Sequence, residues 1–261
     1  MDKLLLYSKK IGADPLKQCS RDKEIRRYET MSAFARTLVD ETDILAGIFE
    51  LSPGDNTLRN FILSIAKHFP LLSIGVIREE GPDSFYQLLG EALEKEKDRS
   101  LQWFFDKEHK NKLVKSLCRY INSAFSKNRR AHHRFEWILN GYLDGSSGTV
   151  KKYKIRSFGA GGAFLETEGD YPTPGTQGQI RVEFQNFQMI TDCEFLDPRN
   201  ASSNLPFGFG VRFLNLSPES ERKIDAIVKD ALFQILIQPE TEPEVPSLGE
   251  EELTPDFYMF L

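Results

Sequence analysis

The sequence predicts an α+β chain of two domains. An α-helical N-terminal domain precedes a six-stranded antiparallel β-barrel, which a C-terminal helix closes. Three observations predict this. Residues 30 to about 126 place apolar side chains mostly at helical intervals. After Arg134 the chain breaks into short segments rich in β-branched and aromatic residues, separated by turn residues. A strong helix-start signal, Ser217 to Glu219, follows the last of these segments. A length of 261 residues accommodates two ordinary domains.

In the first half, Phe34, Leu38, Ile44, Leu45, Ile48 and Phe49 recur at near-helical spacing, until Ser52 to Asp55 breaks the pattern. Asp55 or Asn56 caps a helix carrying Leu58, Phe61, Ile62, Ile65 and Phe69, which ends before Pro70. Leu71 to Ile77 is a short apolar run that periodicity leaves open between strand and buried helix turn. Gly81 to Asp83 starts a helix with Phe85, Leu88, Leu89 and Leu93 inward. A further helix over 109–125 turns Leu113, Leu117, Tyr120, Ile121 and Phe125 to one face.

In the second half, strands are predicted at 135–142, 150–156, 162–167, 179–184, 189–196 and 208–213. Six short strands at this spacing make a small antiparallel barrel. Ser217 caps the closing helix, Pro218 takes its first position and Glu219 its first turn. The apolar face of that helix runs from Ile224 to Leu236. Residues 239–261 form a Pro-rich tail with seven acids and no Lys or Arg, of a composition that stays disordered. The predicted organisation is a helical domain at 1–126, an arginine-rich arm at 127–134, the barrel with its helix at 135–238, and the tail.

Net charge is −5, which argues against general nucleic-acid or membrane-surface binding. Basic residues do gather between Lys107 and Arg134, yet they alternate with Glu108 and apolar residues, as a solvated helix face does. A nucleic-acid factor using this surface is the weakest reading, and steep salt dependence would mark it. Cys19, Cys118 and Cys193 are odd in number and widely spaced, which argues against a disulfide framework or zinc site and fits a reducing cytoplasm. The apolar run at the N-terminus is too short for a signal peptide, and no stretch is long enough to span a membrane.

The residues that point to function are local. Arg130 and Arg134 lie four apart, with Arg129 beside them. Guanidinium groups fork onto phosphates and onto the two-acceptor edge of guanine, and their flat faces stack on bases. A glycine turn, Ser157 to Leu165, lets backbone approach closely. No nucleophile–base pair, paired carboxylates or metal cluster stands out, so no catalysis is read here. His132 and His133 lie within the arm, where they add partial charge or pack over a base.

Together the arm, the stretch Ile155 to Thr167 and the ending Gly208 to Glu219 resemble a PilZ domain. The resemblance covers roughly residues 127 to 237. It implies a six-stranded barrel that binds the bacterial second messenger cyclic di-GMP. The family's first motif is an arginine pair spaced as Arg130 and Arg134 are. Its second, Asp/Asn-x-Ser-x-x-Gly, falls on Ser157, Gly159 and Gly162, of which only Gly162 matches. Losing these two contacts weakens binding by about one to three orders of magnitude.

The resemblance thus implies ligand contacts at Arg129, Arg130, Arg134, Ser157, Gly159 and Gly162, with no metal and no cofactor beyond the ligand. It implies a cytoplasmic, non-enzymatic effector in which ligand orders the arm and reorients the helical domain toward a protein partner. The alternative is a PilZ-like adaptor that has lost the ligand and acts only through protein contacts.

Overall fold

The computed structural model describes residues 2–9, 11, 13–17, 23–94, 101–105, 110–123, 131–144, 150–184, 188–201 and 206–238. Arg129, Arg130 and the acidic tail lie outside them. The chain divides into two compact units.

The first unit alternates strand and helix. Its elements are β1 (Asp2–Tyr7), α1 (Asp14–Lys17), β2 (Lys23–Tyr28), α2 (Met31–Asp40), β3 (Ile44–Leu51), α3 (Asn56–His68), β4 (Ser73–Arg78), α4 (Asp83–Glu94), β5 (Leu101–Phe105) and α5 (Lys110–Ser123). The strands pair in parallel in the order β2-β1-β3-β4-β5. The α+β class stands, but the expected helical N-terminal domain is corrected: a five-stranded parallel sheet runs between its helices. The reason is physical. Strands buried on both faces are apolar at every position and lose the alternation that betrays a strand. Leu4, Leu5 and Leu6 are all fully buried, as are neighbouring Ile48 and Phe49. The seemingly continuous helical spacing of Phe34 to Phe49 spans the end of α2 and the start of β3.

The helices themselves begin and end as their signals dictate. The Thr30 hydroxyl accepts from Ala33 N at the head of α2, and the Asp55 carboxylate accepts from Leu58 N at the head of α3. Leu113, Leu117, Tyr120 and Ile121 of α5 are buried against residues of β1, β3 and β4. The rings of Phe34, Phe49 and Phe61 pack together at centroid distances of 4.9 to 6.3 Å. Cys118 is disulfide-bonded, which corrects the reading of three isolated thiols.

The second unit is a closed barrel. Its strands are β6 (Leu139–Asp144), β7 (Val150–Gly159), β8 (Gly162–Glu166), β9 (Gln177–Glu183), β10 (Gln188–Arg199) and β11 (Gly208–Leu214). They close in the order β10-β11-β8-β7-β6-β9, each pair antiparallel. All six overlap the predicted segments, because a barrel wall alternates inward and outward residues, although β6 begins four residues later than the segment predicted from Phe135. Inside, Phe158 meets Phe184 and Phe213 at 5.3 and 5.7 Å, and Tyr153 meets Phe209 at 5.4 Å.

Helix α6 (Pro218–Ile237) starts where predicted, with Ser220 N donating to the Ser217 hydroxyl at 3.1 Å. Ile224, Val228, Leu232 and Leu236 are buried along it. Residues from Leu232 group with the first unit: the Arg36 guanidinium lies 3.7 Å over the Phe233 ring, and the Ser64 hydroxyl donates to the Ile235 carbonyl.

Candidate functional site

The candidate site is the place where the arm meets the turn between β7 and β8. Phe135 and Phe158 exchange two backbone hydrogen bonds of 2.8 and 2.9 Å, an isolated antiparallel bridge. This pairing fixes the residues just before Phe135 against the end of β7. A Cβ at Gly159 would lie 2.2 Å from the His133 carbonyl oxygen and 3.1 Å from Arg134 Cγ. Glycine is therefore required at 159, since no side chain fits beneath the arm. Gly162 carries the other glycine constraint, with φ of +145° and a would-be Cβ 2.0 Å from the Val211 carbonyl oxygen. Arg134, Gly159 and Gly162 are thus brought together by the chain's own packing.

Ser157 sits at a bulge. The register of β7 against β8 shifts between Ile155 and Ser157. As a result Arg156 and Ser157 are both partly exposed, whereas strict alternation buries one of two neighbours. Arg156, beside the turn, is engaged by Glu166. Its Nε donates at 2.8 Å and its Nη2 lies at 2.7 Å from the same carboxylate oxygen. Arg129 and Arg130 belong to the same arm but lie outside the described residues.

A surface cleft of about 460 Å³ lies further along the wall, between Lys151–Lys154 of β7 and Glu166–Asp170. Its charges are mixed and partly paired, as Lys151 with Asp170. At the arm–turn site Arg134 and Ser157 are half-exposed, while Gly159 and Gly162 are buried. Among the described residues, no group of His, Cys, Asp and Glu is placed to hold a metal ion, and no helix is long and apolar enough to cross a membrane.

Sequence reading missed a second cluster. In the order β2-β1-β3-β4-β5 the connections reverse direction between β1 and β3, and ligands of open α/β sheets bind at such a point. Here the carboxyl ends hold Ser8, Lys9 and Glu50. One Glu50 oxygen accepts from the Ser8 hydroxyl and from Lys9 N, each at 2.8 Å. Arg27 donates to the carbonyls of Ser8 and Lys9 at 2.9 and 3.1 Å. The donors at this switch point already serve the protein's own acceptors. No local motif signals the cluster, because Ser8 and Glu50 meet only through parallel pairing.

Residues 128–230 match the PilZ domain family, under half of the chain. No curated protein matches the chain. Solved structures similar to the C-terminal part include the PilZ domain with c-di-GMP of YcgR from Escherichia coli, at 19% identity and a TM-score of 0.34, covering 40% of this chain and 91% of that one. The Bacillus subtilis inhibitor of motility (MotI/DgrA) is similar at 11% identity and a TM-score of 0.35, covering 40% and 51%. The K. pneumonia MrkH–c-di-GMP complex is similar at 15% identity and a TM-score of 0.36, covering 42% and 55%. The chain spans about half the length of the latter two proteins.

Proposed function

We propose that this chain, whose residues 128–230 belong to the PilZ domain family, is a non-enzymatic effector that binds cyclic di-GMP. The supporting observation is the pairing of Phe135 with Phe158, which lays the end of the arginine arm on the Gly159 turn. That contact sets Arg134, the last residue of the first motif, beside the second. Arg134, with Arg129 and Arg130, takes phosphates and guanine edges, since planar guanidinium matches both. Gly159, Gly162 and Ser157 form the platform beneath. Binding orders the arm over residues 127–134, changes the interdomain arrangement, and is read by a protein partner through the N-terminal unit. The ligand is an intracellular messenger, so the proposed location is the cytoplasm. Calorimetry with cyclic di-GMP tests the reading: wild type gives binding heat, and the Arg130→Ala/Arg134→Ala variant gives none. Absence of heat from the wild type at high-micromolar ligand sinks it.

A second reading, an adaptor that does not bind the ligand, draws on a specific observation. Position 159 has no room for a serine, and Arg156 is committed to Glu166. Both features reduce the groups offered to a ligand. A pull-down whose partners are unchanged by the double arginine substitution favours this reading, and tight ligand binding ends it.

A further inference from the structure

His132 connects the arm to α6. Its Nε2 lies 3.3 Å from Glu221 Oε1, and its Nδ1 lies 3.9 Å from Asp225 Oδ1. Glu221 and Asp225 are four residues apart on α6, so both carboxylates present to one imidazole. Asp225 is also paired with Lys229 at 2.8 Å. On its other edge the ring meets the β7–β8 turn, where a Cβ at Gly161 would lie 3.3 Å from His132 Cδ2. The imidazole is therefore held between the glycine turn and the first turns of α6, two residues before Arg134.

We infer that His132, Glu221 and Asp225 form an anchor that positions the Arg134 arm and couples it to α6. His132 acts as a positioning residue, not as a ligand contact. Two carboxylates one turn apart repel an incoming phosphate. The imidazole lies between them and the Lys229 ammonium beside one, and together they fix the arm's last residues against α6. Ligand engagement by the arm then loads α6 through the imidazole, while a free arm leaves α6 unloaded. The ligand half of this inference rests on the cyclic di-GMP reading; the anchor itself does not.

The test uses the full-length chain with His132→Ala, His132→Gln, and each in a Glu221→Gln/Asp225→Asn background, folding being checked by circular dichroism. Hydrogen exchange at the Phe135 and Phe158 amides reads the anchor without ligand. Calorimetry with cyclic di-GMP reads its effect on binding. The expected result is faster exchange and about tenfold weaker binding for His132→Ala, equivalent to ~1.4 kcal/mol. His132→Gln should recover most of both. In the carboxylate-free background, His132→Ala should add nothing, as a coupled pair requires. Unchanged exchange in folded His132→Ala overturns the anchor, as does an undiminished His132→Ala effect in that background. If wild type binds no cyclic di-GMP yet His132→Ala accelerates exchange, the ligand reading fails and the anchor stands.

Discussion

Position 159 shows how one side chain sets what a site can be. The second motif has serine there, and restoring it is the obvious route to stronger binding. The geometry predicts the opposite. A Cβ at 159 meets the His133 carbonyl oxygen at 2.2 Å, and a backbone atom cannot swing aside as a side-chain tip does. Gly159→Ser should therefore lift the arm and lower stability by ~1–3 kcal/mol, the usual cost of overpacking. Thermal denaturation should show the loss, and calorimetry should show cyclic di-GMP affinity falling. A Gly159→Ser protein that is as stable as wild type and binds more tightly contradicts this account. The arginine arm and the glycines are legible in sequence because each is a local pattern. The cause of Gly159 is not, since it depends on a backbone oxygen from a segment that returns only through the Phe135–Phe158 bridge. The same holds for His132 and its α6 carboxylates, and for Ser8 and Glu50.

At the level of elements, the barrel was readable and the parallel sheet was not. Strands of β6 to β11 have one wet face, so their alternation survives in sequence, as in Leu139, Gly141 and Leu143 buried against exposed Asn140. Strands β1, β3 and β4 have none, and their apolar runs imitate helix faces. The edge of that sheet instead reveals itself by charge. Arg26 on β2 bonds Glu24 at 2.7 Å and Glu41 at 2.6 Å, and Lys3 on β1 bonds Glu41 at 2.8 Å and Asp43 at 2.9 Å. The Arg26 hydrogen bond holds the Glu24 carboxyl below its ordinary value of 4.5. A carboxyl depressed on folding contributes stability above its unfolded value and loses it as pH falls through the folded one. Stability of the first unit should thus decline as pH drops below about 4.5, where protonation begins to favour the unfolded chain. Arg26→Gln should make that decline shallower, because the largest cause holding the Glu24 carboxyl down is then removed. Melting temperature measured against pH for the two proteins decides it; parallel acid limbs would refute the assignment.

The whole molecule holds two cores, and they differ in how they are fastened. The first unit contains the Cys118 disulfide. The second contains Cys193, fully buried, whose thiol burial pushes up to about 12. A disulfide stabilises chiefly by restricting the unfolded chain, typically by ~2–4 kcal/mol. Each unit has its own apolar interior, so differential scanning calorimetry should resolve two transitions. Reductant should lower one of them, by on the order of 10 °C, and leave the barrel transition in place. Alkylation after denaturation without reductant should label Cys193 and spare Cys118, while the native protein should resist labelling at Cys193, a thiol kept both buried and protonated. Cys118→Ser should abolish the effect of reductant on the first unit's transition. A single transition that reductant shifts as a whole would mean the two cores unfold together, with α6, which contributes residues to both units, carrying the cooperativity between them.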